Sequence, residues 1–136
     1  MTEIGDQTTD KLADMLIQVL HGQSSDTREL AVVQLVLMGK SAVPPLMAYL
    51  KKEEALEQDI ESLGKPPRPL VANQKEHEVY RKASEAFESK WGYSLSHYES
   101  ENVAMSREVA IEGALKALTL LGQNNFYDLF PHLAQK

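Results

Sequence analysis

Cysteine is absent from this chain of 136 residues. That excludes a disulfide framework and thiolate metal sites, and it fits a reducing compartment. Long apolar runs are missing as well: none approaches the ~18 residues that a membrane-spanning helix needs. The N-terminus is polar and acidic rather than a secretory leader. The expectation is a cytoplasmic protein with no membrane partner. Basic residues are in deficit, 14 against 20 acidic, for a formal net charge of −6. Such a chain lacks the broad positive field that holds a phosphate backbone, so no nucleic-acid partner is expected. Between residues 51 and 90, nine acidic and eight basic side chains interleave, the pattern of a solvated surface of mixed sign.

Catalytic signatures are equally scarce. His21, His77, His97 and His132 are scattered, and no pair stands at His-x-x-x-His spacing. The Glu-x-x-His spacing of di-iron bundles fails because Gln74 precedes His77 by three residues. Carboxylates at Glu54/Glu57, Glu57/Glu61 and Glu85/Glu88 share helix faces, but among interleaved lysines they read as solvated rather than as metal ligands. Ser24, Ser25, Ser41 and Ser106 are accounted for by helix capping, and no Gly-x-Ser-x-Gly elbow occurs. Neither Gly5 nor Gly64-Lys65 opens a phosphate loop. No enzyme activity, metal or cofactor is therefore expected.

What the chain does contain is an apolar centre. Residues 26–39 carry no charge after Glu29, and a helix apolar on nearly every side belongs inside, covered on two faces. Asp26 with Glu29 forms a capping-box pattern at its start, and Gly39 suits its end. Ser41 can cap a following helix that takes Pro44 and Pro45 in its first turn, where a missing amide hydrogen breaks no bond. Two such helices around a short corner make an αα-hairpin.

The residues Arg28, Ala31, Leu35, Gly39, Val43-Pro44, Leu46 and Leu50 resemble one unit of the HEAT repeat family. The C-terminal part repeats the pattern. At an offset of 83 residues Ala31 falls on Ala114, Leu35 on Leu118, Leu37 on Leu120, Met38 on Leu121, Gly39 on Gly122, Val43 on Phe126, Leu46 on Leu129 and Leu50 on Leu133. The pairs Arg28-Glu29 and Arg107-Glu108 match at an offset of 79, and Asp128 and Pro131 stand where Pro45 and Ala48 do. The resemblance implies an all-α fold, a short right-handed stack of helical hairpins with two repeats, an N-terminal half-repeat helix and a helical insertion. Some HEAT-like proteins are DNA glycosylases with basic concave faces, which this chain lacks.

In chain order, one domain is expected over residues 1–136. Residues 1–7 are loose, and 8–22 form a capping helix that starts at Thr8 or Thr9, with Leu12, Met15, Leu16, Val19 and Leu20 on one stripe. Residues 26–63 are the first repeat; Leu56, Ile60 and Leu63 carry its second helix on to Gly64. The insertion, 64–102, has a Pro66-Pro67-Arg68-Pro69 segment that aromatic grooves can hold. It continues with a helix at 72–91 and a loop at 93–102. The second repeat, 103–136, begins near Val103 or Ser106. Pro131 makes its last helix either kinked or two-part.

Function is then expected to be non-catalytic: a protein-interaction or adaptor module. Its partner-binding residues are Tyr80, Phe87, Trp91, Tyr93 and Tyr98, since tyrosine and tryptophan concentrate at the energetic centres of interfaces. The same rings also suit a cover over the groove between repeats. With about three units needed for a stable repeat stack, self-association through Phe126, Phe130 and Leu133 is expected. The alternatives are a small-ligand or enzyme-accessory protein resembling HEAT-like lyases, with His77, His97 or Arg81 in one pocket, and a metal-binding helical-bundle enzyme.

Overall fold

The structure, a computed structural model, describes residues 2–64 and 73–134, without the side chains of residues 2–8 and Tyr127. Every regular element among the described residues is helical: α1 (Thr2–Leu20), α2 (Ser25–Leu37), a 3₁₀ turn (Gly39–Ala42), α3 (Val43–Leu63), α4 (Gln74–Trp91), α5 (Leu95–Glu99), α6 (Glu101–Leu120), α7 (Phe126–Leu129) and α8 (Pro131–Ala134). None of these helices is long and apolar enough to cross a membrane. The Pro66-Pro67-Arg68-Pro69 segment lies outside the described residues.

Local chemistry sets most boundaries, with corrections to the expected ones. The first helix, expected over 8–22, runs from Thr2 to Leu20, starting before Thr8 or Thr9. Ser24, not Asp26, caps α2, its hydroxyl accepting the Thr27 amide at 3.3 Å. Ser41 caps nothing; it sits in the 3₁₀ turn, and α3 starts on Pro44 and Pro45. Asn73 caps α4, and Gly92, at φ 85°, ends it with its amide bonded to Glu88. The expected loop at 93–102 holds the short helix α5, capped by Ser94. Ser106 is no cap either, for α6 already begins at Glu101 and the Ser106 hydroxyl donates to the His21 carbonyl at 3.1 Å.

The core lies where α1, α2, α3 and α6 meet. Leu20, Leu35, Leu46, Leu50 and Leu118 are completely buried there, each worth about 2 kcal/mol by area. On α6, Ala110, Ala114 and Ala117 are completely buried, and Gly113 lets Leu20 of α1 come close. Two features depart from a tight antiparallel hairpin. The chain turns through 119° between α2 and the segment 39–63, and α3 packs against α1, α6 and α8 rather than along α2. Meanwhile α2 is covered on one face only. Leu30, Val33 and Leu37 are 64%, 50% and 73% exposed, which corrects the expectation of a helix enclosed on two sides.

Across the offset of 83 residues, most equivalent positions share an environment. Ala31 and Ala114, Leu35 and Leu118, and Leu50 and Leu133 are buried; Leu37 and Leu120 are exposed; Gly39 and Gly122 both take positive φ. Leu46 and Leu129 differ, the first buried and the second exposed.

The last segment is two-part. Phe130 ends α7 outside the helical region, at φ −133° and ψ 63°, as the residue before a proline avoids the helical conformation. Pro131 then opens α8 at a position that needs no amide hydrogen. This break folds α8 back on α3, where Glu54 receives it. Phe130 and Leu133 are only 2% and 5% exposed, and Phe126 packs on the same core. The surface expected for self-association is therefore interior, closed by the turn that Pro131 permits.

Candidate functional site

Three carboxylates on one stretch of α3 organise the chemistry of this molecule. Glu53 and Glu57, one turn apart, face Arg107 of α6. Arg107 Nε donates to Glu53 Oε2 at 2.8 Å and Nη2 to Glu57 Oε1 at 2.9 Å, all three side chains being largely enclosed. Burial works against the guanidinium charge, but the two carboxylates outweigh it and hold the Arg107 pKa above its ordinary value. Glu54, between them in sequence, points the other way and is buried. Its Oε1 accepts the His132 and Leu133 amides at 2.8 and 3.2 Å, capping α8, and its Oε2 meets His132 Nδ1. On the far side of that ring, Nε2 lies 3.0 Å from Glu61. A surface reading of Glu54/Glu57 is thereby corrected: both are committed to α6 and α8.

Beside Arg107 opens a cleft of about 410 Å³ between the distal half of α3, α6 and α8. Glu57 and Arg107 form its end wall, and Ile111 and Leu115 its half-buried floor. Exposed Glu108 and Glu112, one turn apart on α6, form the rim; Leu133 closes it from α8. None of His77, His97 and Arg81 lines this cleft. Arg81 is instead held on the exposed side of α4 by Glu78 and Glu85, at 2.5 and 2.7 Å. Among the described residues no group of three or more His, Asp or Glu side chains converges to hold a metal ion.

The aromatic residues of the insertion divide. Phe87 is buried against α3 and Tyr80 half-buried. Trp91 is half-buried, and its indole N–H reaches Asp59 on α3. Tyr98 donates its hydroxyl to the Trp91 carbonyl at 3.1 Å and meets Phe87 edge-on. Tyr93 alone is strongly exposed, at 55%, stacked on His97 with centroids 4.0 Å apart. Most of the group is thus a clamp that fastens α4 and α5 to the projecting half of α3. Tyr98 also lies 5.8 Å from the Arg107 guanidinium, so the clamp adjoins the end wall of the cleft.

A smaller polar contact joins α1 to α3. His21 Nδ1 lies 3.2 Å from the Ile17 carbonyl, which can only accept, so that nitrogen carries the hydrogen. Nε2 then accepts from the Tyr49 hydroxyl at 3.2 Å. Burial, reinforced by Glu53, pushes the Tyr49 phenol well above its ordinary pKa, which keeps it a donor.

The Arg107 and Glu54 contacts are what sequence reasoning missed. Their one legible sign is a carboxylate-rich stretch at 53–57 in a chain whose later helix carries Arg107; which carboxylate meets which helix depends on the 119° turn. No protein-family model, curated protein or solved structure matches this chain.

Proposed function

We propose that this chain is a non-catalytic, cytoplasmic module of the HEAT-like kind that binds another protein, with the cleft beside Arg107 as its docking site. The composition of that cleft carries the reading. Glu108 and Glu112 are like charges four residues apart on one helix face, an arrangement that costs a few tenths of a kcal/mol. A cationic side chain between them relieves that repulsion. Arg107 cannot, because Glu53 and Glu57 already engage it. Beneath the pair, Ile111 and Leu115 offer apolar contact. The fitting partner is a segment that places a lysine or arginine next to an apolar residue. Tyr93 meets Tyr98 edge-on at 6.1 Å, and Tyr98 adjoins Arg107, so the insertion sits where it can influence which segment is accepted.

The HEAT-like part of the proposal is supported by the pairing of like with like: α2 lies against α6 and α3 against α8. The shared environments across the 83-residue offset support it further.

Peptide display against the whole chain tests the reading. The expected result is enrichment of basic-apolar segments, lost with the double variant E108Q/E112Q and weakened between about 0.05 M and about 0.5 M salt, where screening shortens to a few ångströms. Enrichment indifferent to that variant, or none at all, overturns it.

A further inference from the structure

We infer that His132 is a pH-sensitive latch: as an imidazolium it ties α8 to α3, and when it loses a proton the wall that α8 gives the cleft loosens. What this does to docking rests on the reading of the cleft given above; the latch itself needs no partner. The ring lies between two carboxylates of α3, Nδ1 against Glu54 Oε2 and Nε2 3.0 Å from Glu61 Oε2. Glu54 is 6% exposed, and its other contacts are all donors. The His132 and Leu133 amides meet Oε1, and the Gln58 side-chain amide meets Oε2 at 3.3 Å. Glu54 therefore accepts from Nδ1 as well. Glu61 faces the opposite nitrogen, and an ionised carboxylate only accepts. Two acceptors on two ring nitrogens require two N–H groups, which only the imidazolium has.

A neutral ring keeps one N–H. With that hydrogen on Nδ1, the Nε2 lone pair meets the Glu61 oxygen, and the buried Glu54 loses its cation. No other charge stands in. Among the described residues Glu54 pairs with no other cationic side chain, and α7 brings only Asp128, exposed and without an ion pair. From α6, Glu108 and Glu112 stand on the rim of the cleft, and Arg107 is engaged by Glu53 and Glu57. None of these meets the ring. The double contact exists only while the ring is charged. Its contribution is therefore present on the acid side and lost as pH rises through the window, about pH 5 to 8, in which imidazoles titrate. The helix it holds is a single turn, Pro131–Ala134, and carries Leu133, which lines the cleft. Burial of Phe130 and Leu133 still favours the docked position, so the step is a change of population rather than a complete release.

Nuclear magnetic resonance of the full chain, with no peptide added, from about pH 5 to about pH 8 is the test. At the acid end the nitrogen shifts of the His132 ring should show hydrogen on both Nδ1 and Nε2. The Leu133 and Ala134 amides both bond to the Phe130 carbonyl, so their exchange reports α8 directly. Their protection, corrected for the intrinsic effect of pH on exchange, should fall about tenfold across the range, on the order of one charge-assisted hydrogen bond. Protection in α2 should hold. His132→Gln should abolish the step, and Glu61→Gln, at an exposed position, should shrink it. A ring with a single N–H at the acid end overturns the inference, as does protection that ignores the ring's titration. A step that survives His132→Gln, or one indifferent to Glu61→Gln, overturns it too. Because no peptide takes part, failure here leaves the docking reading to its own test.

Discussion

The indole N–H of Trp91 donates to Asp59 Oδ2 at 2.9 Å, and the same oxygen takes Lys90 Nζ at 2.7 Å. One carboxylate on the projecting half of α3 therefore holds the C-terminal end of α4. The hydrogen bond from Lys90 draws the Asp59 carboxyl below its ordinary value of 3.8; desolvation opposes this, and Trp91 adds to the pull.

A pH dependence follows. With the folded value depressed, the unfolded chain binds the proton more readily. The contribution of Asp59 is thus fully present above 3.8 and is lost as pH falls through the lower folded value. Trp91 is the single tryptophan, so its fluorescence reports the contact directly. Asp59→Asn should shift the emission to the red at neutral pH, abolish the acid step, and cost about 1 kcal/mol in denaturant unfolding. Unchanged emission would mean that Trp91 is held by packing alone.

Removing Arg107 leaves Glu53 and Glu57 facing each other across an enclosed space. Arg107→Leu should cost about 2 kcal/mol, short of the full cost of breaking a wholly buried pair because some solvent reaches all three groups. Arg107→Lys should recover little, since an ammonium lacks the planar fork that serves two carboxylates. The triple variant Arg107→Leu, Glu53→Gln, Glu57→Gln should recover most of the loss. Urea unfolding distinguishes these outcomes.

Glu54 anchors α8 through two backbone amides and a ring nitrogen. Glu54→Ala should lower stability by about 2 kcal/mol, the upper range for losing a helix cap. The effect should be concentrated at the C-terminus: hydrogen exchange of the His132 and Leu133 amides accelerates, while that of α2 and α6 keeps pace with global unfolding.

Gly113 lies in the interior of α6, where alanine would ordinarily add about 1 kcal/mol. A Cβ there would come within 2.9 Å of Leu20 Cδ2, and Leu20 is completely buried. Gly113→Ala should therefore destabilise by about 1 kcal/mol net, overpacking outweighing propensity. In a Leu20→Ala background the same change should stabilise, a reversal of sign that a double-mutant cycle reads as coupling.

Much of the helical plan was legible beforehand because its signals are local. Gly39, Gly64, Gly92 and Gly122 take the positive φ that ends or follows a helix, and Pro44-Pro45 fall in the first turn of α3. The long α3, predicted to 63, ends at Leu63 because no breaker precedes Gly64. Errors arose where two local solutions competed, as with Ser24 against Asp26, or where a short helix such as α5 carries little periodicity.

The candidate site was much less legible. Glu54 and Glu57 look alike in sequence and three residues place them near one helix face; only the packing of α6 and α8 on either side of α3 gives one an arginine and the other a pair of amides. Tyr93 and Phe87 are likewise both aromatic residues of one insertion, yet one is exposed and the other buried.

By itself the sequence determined that this protein is helical, where most of its helices end, and that two stretches 83 residues apart share an apolar pattern, because capping, glycine conformation and periodicity act over a few residues. The tertiary structure decided which apolar side chains are left over. Phe130 and Leu133 went inside because Pro131 lets α8 fold back, and Leu30, Val33 and Leu37 stayed outside because α3 turns away from α2. Burial depends on how helices are placed in space, and that placement is set by contacts between residues far apart in the chain.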